Sequence, residues 1–395
     1  MKKNKPVKIK RYRRSFSGSG DRNNLLRRIL LWVLILAVIF GLGWLVAKPG
    51  LDFASSLWYS YKNRDPGSSA VSQPGAGGAS SSQPAEAQPT PTPTPQTTAG
   101  GGWASVALSA ADTPEKAAAL AQQLKAQGVE NAVLTLKDDR GYLYYPSQVP
   151  LAETAVASTT VDAAAIAQAF RDAGLTPVAG LCAFKDSIAP YADRSMAVKY
   201  GSEGDITWLD SSAELGGKPW LNPNSAAAQQ YIADLIAEVR DLGFEKVLLQ
   251  NFQFPEGYSL EAASYGVLNG GKEQLLAELG KRYEAIDGVE VWFEFPSAAV
   301  SGENVTAYGA SPASFGLQRV FVRLDAVAAT NEAGENVSVP PAADAPALAA
   351  LLEPLRAGGV TAFGLRAAAI TDPAALAAAN TAAKDTGFTS FFVLP

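Results

Sequence analysis

Polar side chains follow apolar, strand-like runs at several points in this chain of 395 residues. Lys185 and Asp186 come at the end of the run 176–184, and the residues QNFQFP at 250–255 end a later run. Such groups can hydrogen-bond hydroxyls and, where they are ionisable, exchange a proton. Because polar groups at the carboxyl ends of parallel strands form the site of a (β/α)8 barrel, the elements between these runs decide whether they meet.

Composition excludes several kinds of site. The chain has no histidine and one cysteine, Cys182, so catalytic triads, Cys-His pairs and His-ligated zinc or iron sites are excluded. A single cysteine also excludes an intrachain disulfide. The acids show no spaced cluster that would indicate a calcium site. The sequence therefore predicts neither a metal nor another cofactor.

Further candidate residues lie at the other strand ends and in the loops that follow them. Glu294 lies within VWFEFP, where an unpaired charge would be costly, so this acid is expected to be either paired or functional. Long barrel loops that carry aromatic residues are often functional, which adds two tryptophans. The candidates for ligand binding are Lys137, Asp138, Tyr142, Lys185, Asp186, Trp208, Trp220, Asn222, Gln250, Gln253, Arg323 and Arg366.

Structural roles compete with these functional ones. The residues DDRG at 138–141 suit a hairpin turn, and Asp186 can cap the helix after it. Trp220 can simply pack its loop against the barrel, because tryptophan is mostly buried wherever it occurs. The charges at the last strands can neutralise each other as ion pairs, namely Arg323–Asp325 and Arg366–Glu294.

Strands and helices alternate from Trp103 onwards. Strand-like runs occupy 103–109, 131–137, 176–184, 245–252, 289–295, 319–324, 360–366 and 389–394. Helical patterns occupy 113–127, 161–173, 224–241, 272–284, 344–356 and 373–385. Alternation of this kind predicts a parallel sheet, and eight strands fit an α/β fold of the (β/α)8 TIM-barrel type over 103–395. A doubly wound open sheet is the alternative, but no G-x-G-x-x-G follows the first strand.

The amino-terminal quarter is different in composition. Residues 1–28 hold eleven Lys and Arg and one acid, and residues 29–47 are uncharged and apolar. Nineteen apolar residues can cross a bilayer, and the basic leader predicts a cytoplasmic amino terminus with the rest outside the cell membrane. A cleaved signal peptide is the alternative. Residues 48–102 are predicted to be a juxtamembrane stalk and a Pro/Ser/Thr/Gly-rich linker.

Charge argues against a nucleic-acid partner. Beyond the leader, residues 29–395 contain 22 basic and 37 acidic side chains. This acidic balance is unsuited to DNA, RNA or another anionic polymer as the main partner.

Several motifs carry a resemblance to a known family. Lys137 and Gly141, the FKD at 184–186, the W-x-N-P at 220–223 and the Phe-Pro at 254–255 resemble the putative glycosyl hydrolase domains of bacterial surface proteins, which are TIM barrels. Three family positions differ. Thr135 stands where the family has an acid, and Gln250 and Gln253 stand where it has an aspartate and an arginine.

The resemblance implies a protein that acts on or binds a cell-envelope or extracellular polysaccharide. Hydrolysis would need two carboxyl groups, for which Glu294 and Asp325 are the first candidates, with Asp186 or Asp138 as other partners for Glu294. The lost positions count against hydrolysis, and two alternatives stand beside a working hydrolase. One is a catalytically inactive barrel that binds glycan or an envelope protein, and the other is a structural envelope protein with a closed barrel.

Overall fold

The computed structural model describes residues 101–201, 205–330 and 335–392. The predicted leader at 1–28, the anchor at 29–47 and all but the last two residues of the linker at 48–102 lie outside these ranges, and Gly102 already belongs to the first strand. Within the ranges, no helix combines the length and the apolar character that a membrane span needs.

A closed parallel barrel forms the body of this part of the chain. The strands in order are β1 (Gly102–Val106), β2 (Val129–Lys137), β3 (Thr176–Cys182), β4 (Lys199–Tyr200), β5 (Lys246–Gln250), β6 (Ala263–Ser264), β7 (Glu290–Pro296), β8 (Arg319–Arg323), β9 (Val327–Thr330), β10 (Asn336–Val339), β11 (Ala362–Arg366) and β12 (Ser390–Phe392). The barrel order is β1-β12-β11-β8-β7-β5-β3-β2, with β2 closing against β1. All eight predicted strands are present, and the prediction of a (β/α)8 barrel is confirmed.

Helices alternate with the barrel strands as predicted. They are α1 (Pro114–Ala126), α2 (Ala163–Asp172), α3 (Ala189–Ala192), α4 (Ala226–Asp241), α5 (Gly271–Glu284), α6 (Ser297–Val300), α7 (Ala345–Ala357) and α8 (Pro373–Thr386). The chemistry of their starts explains the boundaries. Thr113 and Asp372 each accept a hydrogen bond from a first-turn backbone N–H, and each is followed by proline in the first turn.

Alternation along the barrel strands separates two cores. The lumen contains an apolar layer built from one side chain of most strands: Trp103, Val133, Val178, Leu248, Trp292, Phe321 and Phe392. Their neighbours in sequence, such as Ala104, Leu249 and Phe293, face the helices in the larger outer core. Because side chains alternate with a period of two, the residues two positions after each lumen residue point into the lumen at its carboxyl end.

Two short sheets lie in the loops after the strands and were not predicted. β4 pairs with β6, and β9 pairs with β10 as an exposed antiparallel hairpin. Two-residue strands are too short to show a pattern, and the hairpin strands VAAT and NVSV have only four residues each, too few for a clear alternating run.

Candidate functional site

The carboxyl end of the lumen is lined by polar and small residues. We call this region the mouth and define it by Ser105, Thr135, Gly180, Gln250, Glu294, Arg323 and Arg366, which lie two positions after residues of the lumen layer or, for Arg366, directly beside Arg323 in register. The charged side chains come from β7, β8 and β11, whereas β1, β2 and β3 contribute only small ones. The mouth is therefore charged on one side and lined by small residues on the other.

Glu294 is the centre of the polar side. Its side chain is fully buried, and its two oxygens accept hydrogen bonds from three neighbours. Gln250 Nε2 and an Arg323 guanidinium nitrogen contact Oε1 at 3.0 and 3.2 Å, and Arg366 contacts Oε2 at 3.0 Å. The register explains the contacts, because β7 lies between β5 and β8 in the barrel. The buried acid of VWFEFP is thus paired.

Arg323 connects the two acids that are candidates for catalysis. Its Nε and second terminal nitrogen bind the two oxygens of Asp325 at 2.7 and 3.0 Å, while its other terminal nitrogen contacts Glu294. Burial alone would lower the pKa of Arg323, but the hydrogen bonds to Asp325 and the charge of Glu294 outweigh burial and raise it. The guanidinium is therefore a permanent cation bridging both carboxylates.

Lys137 and Asp186 form a second charge cluster, which is fully buried. Lys137 Nζ lies 2.9 Å from Asp186 Oδ2 and donates to the carbonyl of Cys182 at 2.7 Å. The carboxylate contact has ion-pair distance but not hydrogen-bond angles, and the separation is short enough for direct charge attraction. Asp186 Oδ1 accepts from the backbone N–H groups of Ile188 and Ala189, which is the predicted capping role.

The close approach to Gly141 explains a glycine of the family motif. Gly141 has a φ of 100°, and a Cβ atom there would lie 2.2 Å from Asp186 Oδ1. Only glycine meets both the backbone and the space requirement. Lys137, Gly141 and Asp186 therefore act as one structural unit, in which Asp186 pairs with Lys137 through one oxygen and accepts backbone hydrogen bonds through the other.

The segment after β2 folds as the predicted hairpin turn. Asp138 accepts hydrogen bonds from the backbone of Arg140 and Tyr142 and from the Tyr144 hydroxyl. Partial burial alone would raise the pKa of Asp138, but these hydrogen bonds outweigh burial and lower it. Tyr142 is 39% exposed with Arg140 over its ring, so this ring remains accessible to a ligand.

Lys185 points away from the buried pair. Its Nζ contacts the exposed carboxylate of Asp139 at 2.9 Å, and about a third of the side chain reaches solvent. The FKD motif thus divides into one buried acid and one exposed cation.

The aromatic loop after β3 is held down by its own side chains. Trp208 and Trp220 pack with Val198 in a small buried cluster. The Trp208 indole donates to the carbonyl of Ser259, and the Trp220 indole donates to Asp210. Neither ring presents a face to solvent, which is the packing role considered above for Trp220.

Asn222 and Gln253 also make internal contacts. Asn222 donates to the carbonyl of Tyr265 and accepts from the backbone of Asn224. Gln253 is buried and accepts from the Tyr308 hydroxyl. Of the predicted binding residues, the structure brings Gln250, Arg323 and Arg366 together at the mouth around Glu294.

Ser105 is a mouth residue that the sequence patterns did not identify. It is exposed although it lies in the middle of β1, between buried neighbours. A lumen-facing strand residue can be exposed only if the lumen is open above it. The signal was available, since Ser105 is the polar residue two positions after Trp103 in an otherwise apolar strand.

Within the described ranges, no group of three or more carboxylate or thiol side chains could hold a metal ion.

Residues 105–295 match the family model described as the putative glycosyl hydrolase domain. This segment belongs to that family. A comparison with curated proteins found no match.

Several solved structures are similar to this part of the chain. The PgaB (BpsB) glycoside hydrolase domain from Bordetella bronchiseptica is 14% identical and covers 75% of this chain and 94% of its own, with a TM-score of 0.50. A hypothetical protein from Ruminiclostridium thermocellum is 20% identical over 52% of this chain and 98% of its own, with a TM-score of 0.42. A β-amylase catalytic domain from Paenibacillus polymyxa is 12% identical over 74% of this chain and 91% of its own, with a TM-score of 0.46.

Two departures from the glycosyl hydrolase motif lie at the mouth itself. Thr135 and Gln250 point into the lumen, in the places where the resemblance implies acids. An amide and a hydroxyl can hydrogen-bond a sugar, but neither titrates near neutral pH, so neither can replace a carboxyl group as general acid or base, and the amide is not a nucleophile. The family match stops at residue 295, so Arg323, Asp325 and Arg366 lie outside it.

Beside the mouth, the buried Cys182 thiol accepts a hydrogen bond from the Asn251 side chain and donates one to the carbonyl of Lys185. Burial raises the pKa of the Cys182 thiol to about 11. Because the thiolate is the reactive form, we expect Cys182 at pH 8 to react with a disulfide reagent on the order of a hundredfold more slowly in the native protein than in denaturant. Absorbance of the released thiol measures both rates, with Cys182→Ser as the blank, and equal rates would contradict the burial.

Proposed function

We propose that this barrel binds a polysaccharide at its mouth and does not hydrolyse it. One observation carries the proposal: the guanidinium of Arg323 bridges the carboxylates of Glu294 and Asp325, the acids first considered for catalysis. The family supports a carbohydrate ligand.

The bridge conflicts with what hydrolysis requires. A glycosidase places its two carboxyl groups on either side of the bond to be cleaved, about 5–9.5 Å apart, and one of them donates a proton. Here a cation bridges the pair, and both oxygens of each carboxylate accept hydrogen bonds. Glu294 is also fully buried, so its oxygens cannot reach a sugar without breaking three contacts.

The same mouth is well suited to binding. Arg366 and Arg323 each keep more than a quarter of the side chain exposed, so part of each guanidinium can donate to sugar hydroxyls. Ser105 is exposed on the opposite side, which is lined by small residues. Donors on one wall and small side chains on the other suit a hydroxyl-rich ring.

The predicted topology places this site outside the cell. In the proposal, residues 29–47 anchor the chain in the cell membrane with a cytoplasmic amino terminus, and residues 48–102 tether the barrel at the envelope. The uncharged span and the basic leader support this arrangement.

Binding and hydrolysis can be measured on the same preparation. We expect the full-length chain in lipid nanodiscs, which avoid sugar-headgroup detergents, to bind at least one of starch, N-acetylglucosamine oligomers, β-glucan and alginate without releasing reducing ends. Ser105→Phe is expected to reduce that binding at least about tenfold by filling the mouth. Ala349→Phe, at an exposed position on α7, is the control and should leave binding unchanged.

Two results would overturn the proposal. Release of reducing ends that is lost in Asp325→Asn would identify a working hydrolase. Absence of binding across the panel would instead favour an envelope-protein partner or a structural role.

A further inference from the structure

A groove continues from the polar side of the mouth. It encloses a volume of about 470 Å³ between α6, the β9–β10 hairpin and α7. Pro296 and Asp325, which lie where β7 and β8 end, form its inner edge. Asp325 therefore lines the groove while its oxygens bind Arg323 of the mouth.

The wall chemistry of the groove combines apolar surface with hydrogen-bond acceptors. Val327 of the hairpin is 51% exposed and lines the groove together with Leu351 of α7. Ser297 and Ser301 add hydroxyls at the end of the groove formed by α6. Apolar walls with a few polar groups, and a volume of this size, are typical of small-ligand sites.

The charges of the groove select against one class of glycan. Glu303 and Asp325 are the charged side chains that line it, and both are carboxylates. Carboxylates accept strong hydrogen bonds from sugar hydroxyls, whereas an ionised uronate would be repelled.

We propose that this groove is a second binding site for the same polysaccharide and takes uncharged sugar units that continue from those in the mouth. The inference rests on the proposed glycan binding and deepens it. The mouth would hold one part of the chain, and the polymer would pass Asp325 into the groove between the hairpin and α7. The ligand would then be an internal stretch of a neutral polysaccharide rather than a single sugar.

Chain length provides the test, and α7 provides a matched pair of variants. Ala349 and Ala350 are both exposed alanines on α7, but only Ala350 lines the groove. Ala350→Trp fills the groove, and Ala349→Trp makes the same change on the same helix outside it. The probes are two-sugar and eight-sugar oligomers of β-1,4-glucan, α-1,4-glucan and N-acetylglucosamine, with oligogalacturonate as the acidic series, on the full-length chain in nanodiscs.

We expect the long neutral oligomers of at least one series to bind the wild type more tightly than the short ones. Ala350→Trp should lower the affinity for the long oligomer about tenfold and leave the short one unchanged, and Ala349→Trp should change neither. Unchanged long-oligomer affinity in Ala350→Trp would overturn the groove inference alone. Equal affinity for oligogalacturonate would overturn the assignment to uncharged sugars. If the wild type bound none of these oligomers, the proposed glycan binding itself would be overturned.

Discussion

Replacing Lys137 with methionine should lower the free energy of unfolding by about 3–5 kcal/mol, the usual cost of leaving a buried charge without its partner. Lys137 and Asp186 have no exposed side-chain surface, so water cannot replace the lost ammonium group. Asp186 would keep only its two backbone hydrogen bonds. Urea unfolding of the full-length chain, followed by tryptophan fluorescence, measures the change.

Two further variants separate the lost partner from lost packing. Lys137→Met combined with Asp186→Asn should regain more than half of the loss, because the amide can still cap α3 and carries no charge. Lys185→Met removes an exposed lysine paired with exposed Asp139 and should change stability by less than about 1 kcal/mol. A loss below about 1 kcal/mol for Lys137→Met would show that this pair does not stabilise the barrel.

Replacing Glu294 with glutamine should lower the free energy of unfolding by about 2–4 kcal/mol. The change brings Arg323 and Arg366 together without the anion between them. The expected loss is smaller than for Lys137 because both guanidinium groups are partly exposed and water screens them. Thermal and urea unfolding of the same full-length preparation measure it.

Asp325 is the matched control for Glu294. It binds the same Arg323, but 46% of its side chain is exposed. Asp325→Asn should therefore cost less than about 1 kcal/mol. Equal losses for the two variants would contradict the picture in which the buried acid holds the mouth together. A Glu294→Gln protein as stable as the wild type would also contradict it.

The two clusters place residues that match the family pattern in contacts within the protein. Lys137, Gly141 and Asp186 match or extend the family pattern, and here they hold the turn after β2 against the segment after β3. Glu294 occupies a strand end where a catalytic acid is expected, and here it neutralises two arginines. In both cases the partner determines the role of the acid.

Fold class was readable from the sequence because it depends on local and repeated signals. Runs such as NAVLTLK and VWFEFP can bury both faces only inside a helix-covered parallel sheet, and Asp372-Pro373 starts a helix by its own chemistry. The eight strands and six long helices were predicted for this reason. The exclusion of histidine chemistry and of disulfides is likewise a matter of composition alone.

Side-chain pairing was not readable in the same way. The ion pairs Arg366–Glu294 and Arg323–Asp325 were predicted as alternatives to a functional role. The bridge that Arg323 makes between Glu294 and Asp325 was not, because it depends on the register of β7, β8 and β11. The exposure of Ser105 depends on ring closure, which places the small residues of β2 and β3 beside it in the barrel. The groove beside Asp325 depends on a hairpin whose four-residue strands are too short to stand out in the sequence.

The sequence by itself determined the barrel, the apolar span ahead of it and the absence of imidazole and disulfide chemistry, because these follow from composition and from periods of two and 3.6 residues. Only the tertiary structure decided which acids are paired and with which partner, because ring closure brings together residues from strands far apart in the chain. Once a charge is buried, leaving it unpaired costs too much free energy.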